Sequence, residues 1–171
     1  MSKQQQKFLL DANVFIEAHR RYYSFDICPG FWACLLHYNK CSIIYSIDRV
    51  RDELKSGDQL GQWIKDSVPS DMFFSTDDSG VTNWYANIMQ WVYASTQFND
   101  EAKAEFAKVA DGWLIAYAKS NKLTIVTHEV YNPKIKSKVP IPNICRELNV
   151  VYVDTFMMLR IIKAQFKWKA N

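Results

Sequence analysis

The sequence predicts an α/β domain with a mostly parallel sheet. Short apolar runs of strand length alternate along the chain with segments whose apolar residues recur at helical spacing. The chain has 171 residues, of which 49% are hydrophobic, and this is enough for one domain with a proper core but too short for two ordinary ones. We therefore expect residues 1–171 to form a single domain.

Composition narrows the function only slightly. The net charge of +3 permits a nucleic-acid partner without requiring one, and an aromatic content of 15% argues against disorder. The four cysteines show no metal-ligand spacing, so they are expected to be reduced thiols. No apolar run is long enough for a signal peptide or a membrane span, which predicts a cytoplasmic protein with no membrane partner.

The first predicted strand lies in residues 7–15, KFLLDANVF. Its apolar run ends at Asp11, and ligands of open parallel sheets bind beyond the carboxyl ends of the strands. A helix is expected from Val14 to about residue 21, followed by a loop. The alternative for Asp11 or Asn13 is that it only caps this helix.

The next stretch contains two strands with helices around them. By periodicity and turn residues we expect a helix at 31–39, a strand at 42–46, helices at 47–57 and 59–68, and a strand at 72–76.

The predicted helix at 47–57 carries the second acid of interest, Glu53, in its last turns. Ser46 is its expected N-cap. Asp48 and Asp52 lie on other faces of this helix and are expected to be solvated.

Residues 79–106 have a helical pattern with aromatic residues at spacings of three and four, which predicts a helical insertion beside the sheet. Such an aromatic stripe is more often core than a platform for nucleobases. Residues 107–121 form the next predicted helix, with Asp111 near its start. The simplest role for Asp111 is to interact with the helix dipole.

The last strands are predicted at 123–127 and 150–153, with short helices at 144–148 and 155–166. Glu129 follows the first of these strands.

Other polar residues in this region have two readings each. His128 is a candidate general base or a structural histidine. Asp154 could join the acids or cap the last helix. The basic loop at 133–142 contains three lysines that could bind phosphate or simply be solvated: Lys134, Lys136 and Lys138.

Four acids stand near the ends of predicted strands or at the ends of predicted helices: Asp11, Glu53, Asp111 and Glu129. Clustered carboxylates repel one another unless a cation is bound. Oxygen ligands without cysteine or clustered histidine favour Mg²⁺ or Mn²⁺. A metal held in this way can activate water and neutralise charge on a phosphodiester, so the pattern indicates phosphodiester hydrolysis.

Four segments that contain these acids resemble, in order, the motifs of the PIN-domain nucleases, which include the VapC-type ribonuclease toxins. They are LLDANVFI with Asp11 and Asn13, SIDRVRDEL with Glu53, ADGWLIAYA with Asp111, and IVTHE with Thr127 and Glu129. Glu129 stands where the family more usually has Asp. The resemblance covers nearly the whole chain, and four short motifs in order are moderately specific.

The resemblance implies a three-layer domain with a five-stranded parallel sheet and helices on both faces, and a metal-dependent endoribonuclease activity. Asp11, Asp111 and Glu129 would bind the metal, and Glu53 would orient water. Asn13 and Thr127 would support these ligands. The implied partners are an RNA substrate and a cognate antitoxin. The insertion at 79–106 could form a homodimer face, a substrate lid or an antitoxin groove.

Two rival functions remain at this level. The first is a catalytically silent PIN-like scaffold that binds RNA or a protein, in which the acids survive as caps and surface charge. The second is a flap-type DNA nuclease, although its usual DNA-clamping helices are not evident in the sequence.

Overall fold

The computed structural model describes residues 5–55 and 57–167, and its centre is one parallel sheet. All neighbouring strands pair in parallel, in the order β3-β2-β1-β4-β5. This confirms the predicted α/β class and five-stranded sheet. The strands are β1 (Phe8–Leu10), β2 (Ile44–Ile47), β3 (Phe73–Phe74), β4 (Thr124–Val126) and β5 (Tyr152–Val153).

The central strand β1 explains why the sheet forms around the first apolar run. Phe8 pairs with Ile44 on one side and with Thr124 on the other, and all three β1 residues are fully buried. A strand covered on both faces is read in sequence as a continuous apolar run. Strand order reverses between β1 and β4, so the crevice for ligands is expected at their carboxyl ends.

Helices follow or precede each strand and cover the sheet. In chain order they are α1 (Ala12–Glu17), α2 (Pro29–Lys40), α3 (Asp48–Glu53), α4 (Gln59–Ser67), α5 (Ser79–Ala94), α6 (Asp100–Phe106), α7 (Asp111–Asn121), α8 (Ile141–Leu148) and α9 (Thr155–Ile161). A π-helical turn, Ala18–Tyr22, continues α1. No helix in these described ranges is both long and apolar enough to cross a membrane.

The helical segment at 79–106 is divided into two helices. Ser95 has an extended backbone after α5, and the Asn99 side chain accepts a hydrogen bond from the Ala102 amide at 2.8 Å, which starts α6. The predicted helix at 107–121 begins later, at Asp111. Three aromatic residues of α5, Trp84, Tyr85 and Trp91, pack against the core as expected, and α5 lies against α7, whereas Tyr93 is exposed.

Two predictions around α3 are wrong. Ser46 does not cap the helix: it lies in β2, and its buried hydroxyl donates to the Leu10 carbonyl at 2.6 Å. Asp48 is not simply solvated, because its carboxylate accepts hydrogen bonds from the amide and hydroxyl of Thr76 at 3.0 and 2.9 Å. These contacts connect the start of α3 to the segment after β3.

The final helix agrees with one reading of Asp154. Its carboxylate accepts a hydrogen bond from the Met157 amide at 2.6 Å, so it is the N-cap of α9.

Candidate active site at the carboxyl end of the sheet

Asp11 follows β1 directly and is 2% exposed. Its amide donates to the Val126 carbonyl at 3.0 Å, which extends the pairing of β1 with β4 by one residue. Its side chain does not cap α1. Instead Oδ2 accepts a hydrogen bond from the Thr127 hydroxyl at 2.9 Å and a longer one from the side-chain amide of Asn13 at 3.4 Å. The Asp11 carboxylate is therefore oriented by residues from two neighbouring strand ends.

Asp111 and Glu53 approach from the helical side. Asp111 is the first residue of α7, and Glu53 is the last residue of α3. Glu53 Oε1 accepts a hydrogen bond from the Ala110 amide at 2.7 Å. This amide precedes α7, so Glu53 joins the end of one helix to the start of the other.

Glu129 lies after β4 and is held at both oxygens. Its amide donates to the Thr127 hydroxyl at 3.1 Å, while its Oε2 accepts from the Ile141 amide at 2.7 Å at the start of α8. Oε1 accepts from the Lys138 ammonium. Glu129 therefore has a structural role at the start of α8, and its charge is already paired with the Lys138 ammonium.

All four acids line one cavity of about 410 Å³. The cavity lies where the carboxyl ends of β1 and β4 meet α3 and α7, the position at which the strand order reverses. Its other walls include Asn13, Phe106, Val109 and Lys138.

The two aspartates of this cavity are electrostatically strained. Burial raises the pKa of Asp11 to about 6, although its bond from Thr127 opposes the rise and Glu129 adds to it. Asp111 keeps part of its surface exposed, yet burial of its carboxyl together with the charges of Asp11 and Glu129 raises its pKa well above the usual value. Carboxylates that disfavour one another's charge in this way are expected to attract a cation.

The donor set fits a hard divalent cation, because every acid in the cavity offers oxygen. In the described residues, however, no group of three or more His, Cys, Asp or Glu side chains is arranged so that it could hold a metal ion. Glu129 uses both oxygens on Lys138 and Ile141, and Glu53 uses one on Ala110. Asp11 and Asp111 are thus the ligands that need least rearrangement, and Glu129 would have to release Lys138.

Comparison with known proteins gives the family. A family model described as "Domain of unknown function (DUF4411)" matches residues 8–166. The chain belongs to the DUF4411 family. This description names no activity, and no curated protein matches the chain.

One solved structure shows the fold of this DUF4411 chain. A chain in the crystal structure of FitAcB from Neisseria gonorrhoeae is similar with a TM-score of 0.54 and 18% sequence identity, over 85% of this chain and 95% of that one. At that identity the likeness shows the fold alone. It supports the PIN-like fold that the motifs predicted.

The lysines of the loop at 133–142 differ in position in the DUF4411 chain. Lys138 lines the acid cavity and pairs with Glu129. Lys134 and Lys136 are exposed and do not line it. RNA binding by these lysines stays a prediction, and the geometry ties only Lys138 to the acids.

His128 does not line the acid cavity and instead lies in a cluster of side chains. Its Nε2 lies 3.0 Å from the Thr155 hydroxyl, and its ring contacts Tyr22 and Phe156. This arrangement favours the structural reading over a general base.

Arg49 is a further candidate that the sequence motifs did not indicate. A smaller cavity of about 280 Å³ adjoins the acid cavity and shares Glu53 and Val109 with it, and Arg49 and Trp113 form part of its wall. The signal was present in the sequence, because Arg49 precedes Glu53 by four residues and such a spacing places two side chains on one helical face.

Proposed function

We propose that this chain is a divalent-metal-dependent endoribonuclease, the toxin of a toxin–antitoxin pair or a relative of one. The observation that carries the proposal is the convergence of four acids, two of them with raised pKa values, on one cavity at the reversal of strand order. Active-site acids are commonly perturbed in this way.

Asp11, Asp111 and Glu129 would hold Mg²⁺ or Mn²⁺. When bound, the metal would activate a water molecule and neutralise charge that develops on the phosphodiester. The Thr127 hydroxyl and the Asn13 amide would fix the direction of the Asp11 carboxylate.

Glu53 would orient the attacking water. Its Oε1 accepts a hydrogen bond from the Ala110 amide, which holds the Glu53 carboxylate in the wall of the cavity. Such positioning lowers the entropic cost of bringing water to the phosphate.

The test is cleavage of a mixed pool of structured RNAs with Mn²⁺, with Mg²⁺ and with a chelator, beside the Asp11→Asn variant. We expect cutting in the presence of either metal, none with the chelator, and a loss of at least about a hundredfold in the variant. Cutting that persists in both Asp11→Asn and Asp111→Asn would exclude the proposed site.

A catalytically silent scaffold is the second candidate. It is favoured by the amide contacts of Glu53 and Glu129, since a carboxylate at a helix start can be retained for stability alone. Absence of cutting by the folded wild-type chain under every metal condition, together with retained RNA binding, would favour this function.

A further inference from the structure

A second binding position adjoins the acid cavity on the side of α3. It is the cavity of about 280 Å³ that contains Arg49, Lys108 and Trp113 and shares Glu53 with the acid cavity. The two cavities therefore share Glu53 as part of their walls. A chain of nucleotides that reaches the acids could continue past Glu53 into this second cavity.

The Arg49 guanidinium is held in place by two contacts. Its Cζ lies 3.9 Å from the centroid of the Trp113 ring, and its Nε donates to the Thr76 hydroxyl at 3.1 Å. The Thr76 hydroxyl in turn donates to Asp48 Oδ1 at 2.9 Å. An arginine that stacks on an indole and is anchored at Nε keeps its two terminal nitrogens in a fixed plane.

Tyr85 also packs on Trp113. The centroids of the two rings lie 3.8 Å apart, and their planes differ by 10°. The Trp113 indole therefore contacts both Tyr85 and the Arg49 guanidinium, and Tyr85 holds the indole on which Arg49 stacks. The indole is thus a support for Arg49, and the outer face of the guanidinium is the surface offered to a ligand.

Arg49 also differs from Lys138 in its charge balance. Lys138 pairs with Glu129, whereas no carboxylate in residues 5–55 and 57–167 forms an ion pair with Arg49. The neighbouring Asp48 bonds instead to Thr76 and to the Arg49 amide. An exposed, oriented guanidinium without an acidic partner is suited to bidentate binding of phosphate.

We propose that Arg49, supported by Trp113, binds a backbone phosphate of the RNA next to the phosphodiester that is cut. This inference rests on the proposed function. It predicts the path of the RNA, which would run from the acid cavity past Glu53 to Arg49. Trp113 and Thr76 are positioning residues, because they act on the RNA only through Arg49.

The test is equilibrium binding of a fluorescently labelled single-stranded RNA of mixed sequence, measured by anisotropy at several salt concentrations. All proteins carry Asp111→Asn to prevent cleavage. Arg49→Gln is compared with Arg160→Gln, which removes the same charge from an exposed position on α9 outside both cavities. We expect Arg49→Gln to raise Kd about fivefold to tenfold and to reduce the salt slope by about one, as the loss of one phosphate contact should. Arg160→Gln should change neither value.

Arg49→Lys tests the geometry, because it keeps the charge but loses the planar fork. Its Kd should lie between those of the parent and Arg49→Gln. A Kd and salt slope for Arg49→Gln equal to those of Arg160→Gln would overturn the inference, as would tighter binding of the single-stranded DNA of the same sequence.

Cleavage kinetics separate this inference from the proposed function. In the otherwise wild-type chain, Arg49→Gln should raise KM more than it lowers kcat. Metal-dependent cutting with an unchanged KM would overturn the role of Arg49 and leave the nuclease intact. A wild-type chain that neither binds nor cuts RNA would overturn both.

Discussion

The two ends of the sheet carry cavities of similar size and opposite character. The cavity at the carboxyl ends is about 410 Å³, and five acids line it: the four named above and Glu105. The cavity near the amino ends of β1 and β4 is about 440 Å³, and none of its described lining residues is an acid. Volume therefore does not distinguish them, whereas charge does.

Packing at the amino end satisfies the groups that it gathers. Tyr45 stacks on Phe74 at 4.3 Å, Phe74 stacks on Tyr117 at 5.3 Å, and the Gln6 amide donates to the Thr124 hydroxyl at 3.0 Å. At the carboxyl end, burial and mutual repulsion raise the pKa values of Asp11 and Asp111. One end is arranged for stability, and the other keeps a destabilising arrangement at neutral pH that a bound cation would relieve.

The largest effect that this contrast between the two ends predicts is a gain in stability in the Asp11→Asn variant. The pKa of Asp11 is raised from 3.8 to about 6, so the folded chain disfavours the ionised carboxyl. Removal of that charge should increase the free energy of unfolding at neutral pH by about 1–3 kcal/mol. The measurement is denaturant unfolding, with Asp77→Asn as the control because this acid is exposed.

The pH dependence gives the sign of the effect. Between pH 3.8 and about 6 the folded state retains a proton that the unfolded state has released, so the wild-type chain should lose stability as the pH rises through this window. Asp11→Asn should show a smaller loss, because Asp111, whose pKa burial also raises, still titrates in the variant. A variant that is less stable than the wild type at neutral pH would mean that Asp11 belongs to the stabilising contacts of the fold.

The sequence alone was enough to predict that Asp11 and Glu129 lie at this end of the sheet. Asp11 and Glu129 follow apolar runs that had to be strands, and parallel strands bring their carboxyl ends together. The sequence pattern could not predict that Glu129 and Glu53 would each accept a hydrogen bond from a backbone amide at the start of a helix. Such contacts depend on where helices begin in three dimensions.

The same limit explains the errors around α3. Asp48 contacts Thr76, which is 28 residues away, and Arg49 stacks on Trp113 from a different helix. Periodicity assigns a residue to a face but does not say which distant side chain meets that face. The helical pattern at 79–106 did not show where the insertion divides into two helices, which the structure places at Asn99, the N-cap of α6.

A matched pair of threonines on β4 gives the next largest test. Thr127 follows the strand and donates to Asp11, whereas Thr124 begins it and accepts from Gln6. Thr127→Val should lower metal-dependent cleavage about tenfold to a hundredfold, since the carboxylate loses the bond that orients it. Thr124→Val should leave the cleavage rate within about twofold.

Both substitutions remove one hydroxyl from a buried threonine, one at each end of β4, so thermal unfolding is the common control. Similar losses of activity in the two variants would show that cleavage responds to general stability. The contrast between the ends of the sheet would then have no basis in the chemistry.

The smallest expected effect concerns Lys138, the cation that the acid cavity already contains. Burial lowers the pKa of Lys138, but the bond from Lys138 to Glu129 and the charges of Glu129, Asp111 and Asp11 together outweigh burial and raise it, so the ammonium stays charged beside the acids. A divalent ion that used Glu129 would have to displace this ammonium. Lys138→Gln should therefore tighten Mn²⁺ binding a few-fold, a modest change because the lysine is 54% exposed.

Titration calorimetry would measure the affinity for Mn²⁺, with Lys7→Gln at the amino end as the charge-matched control. If Mn²⁺ bound more weakly to Lys138→Gln, the lysine would be a support for the metal ligands, and the acids would depend on it to remain in place.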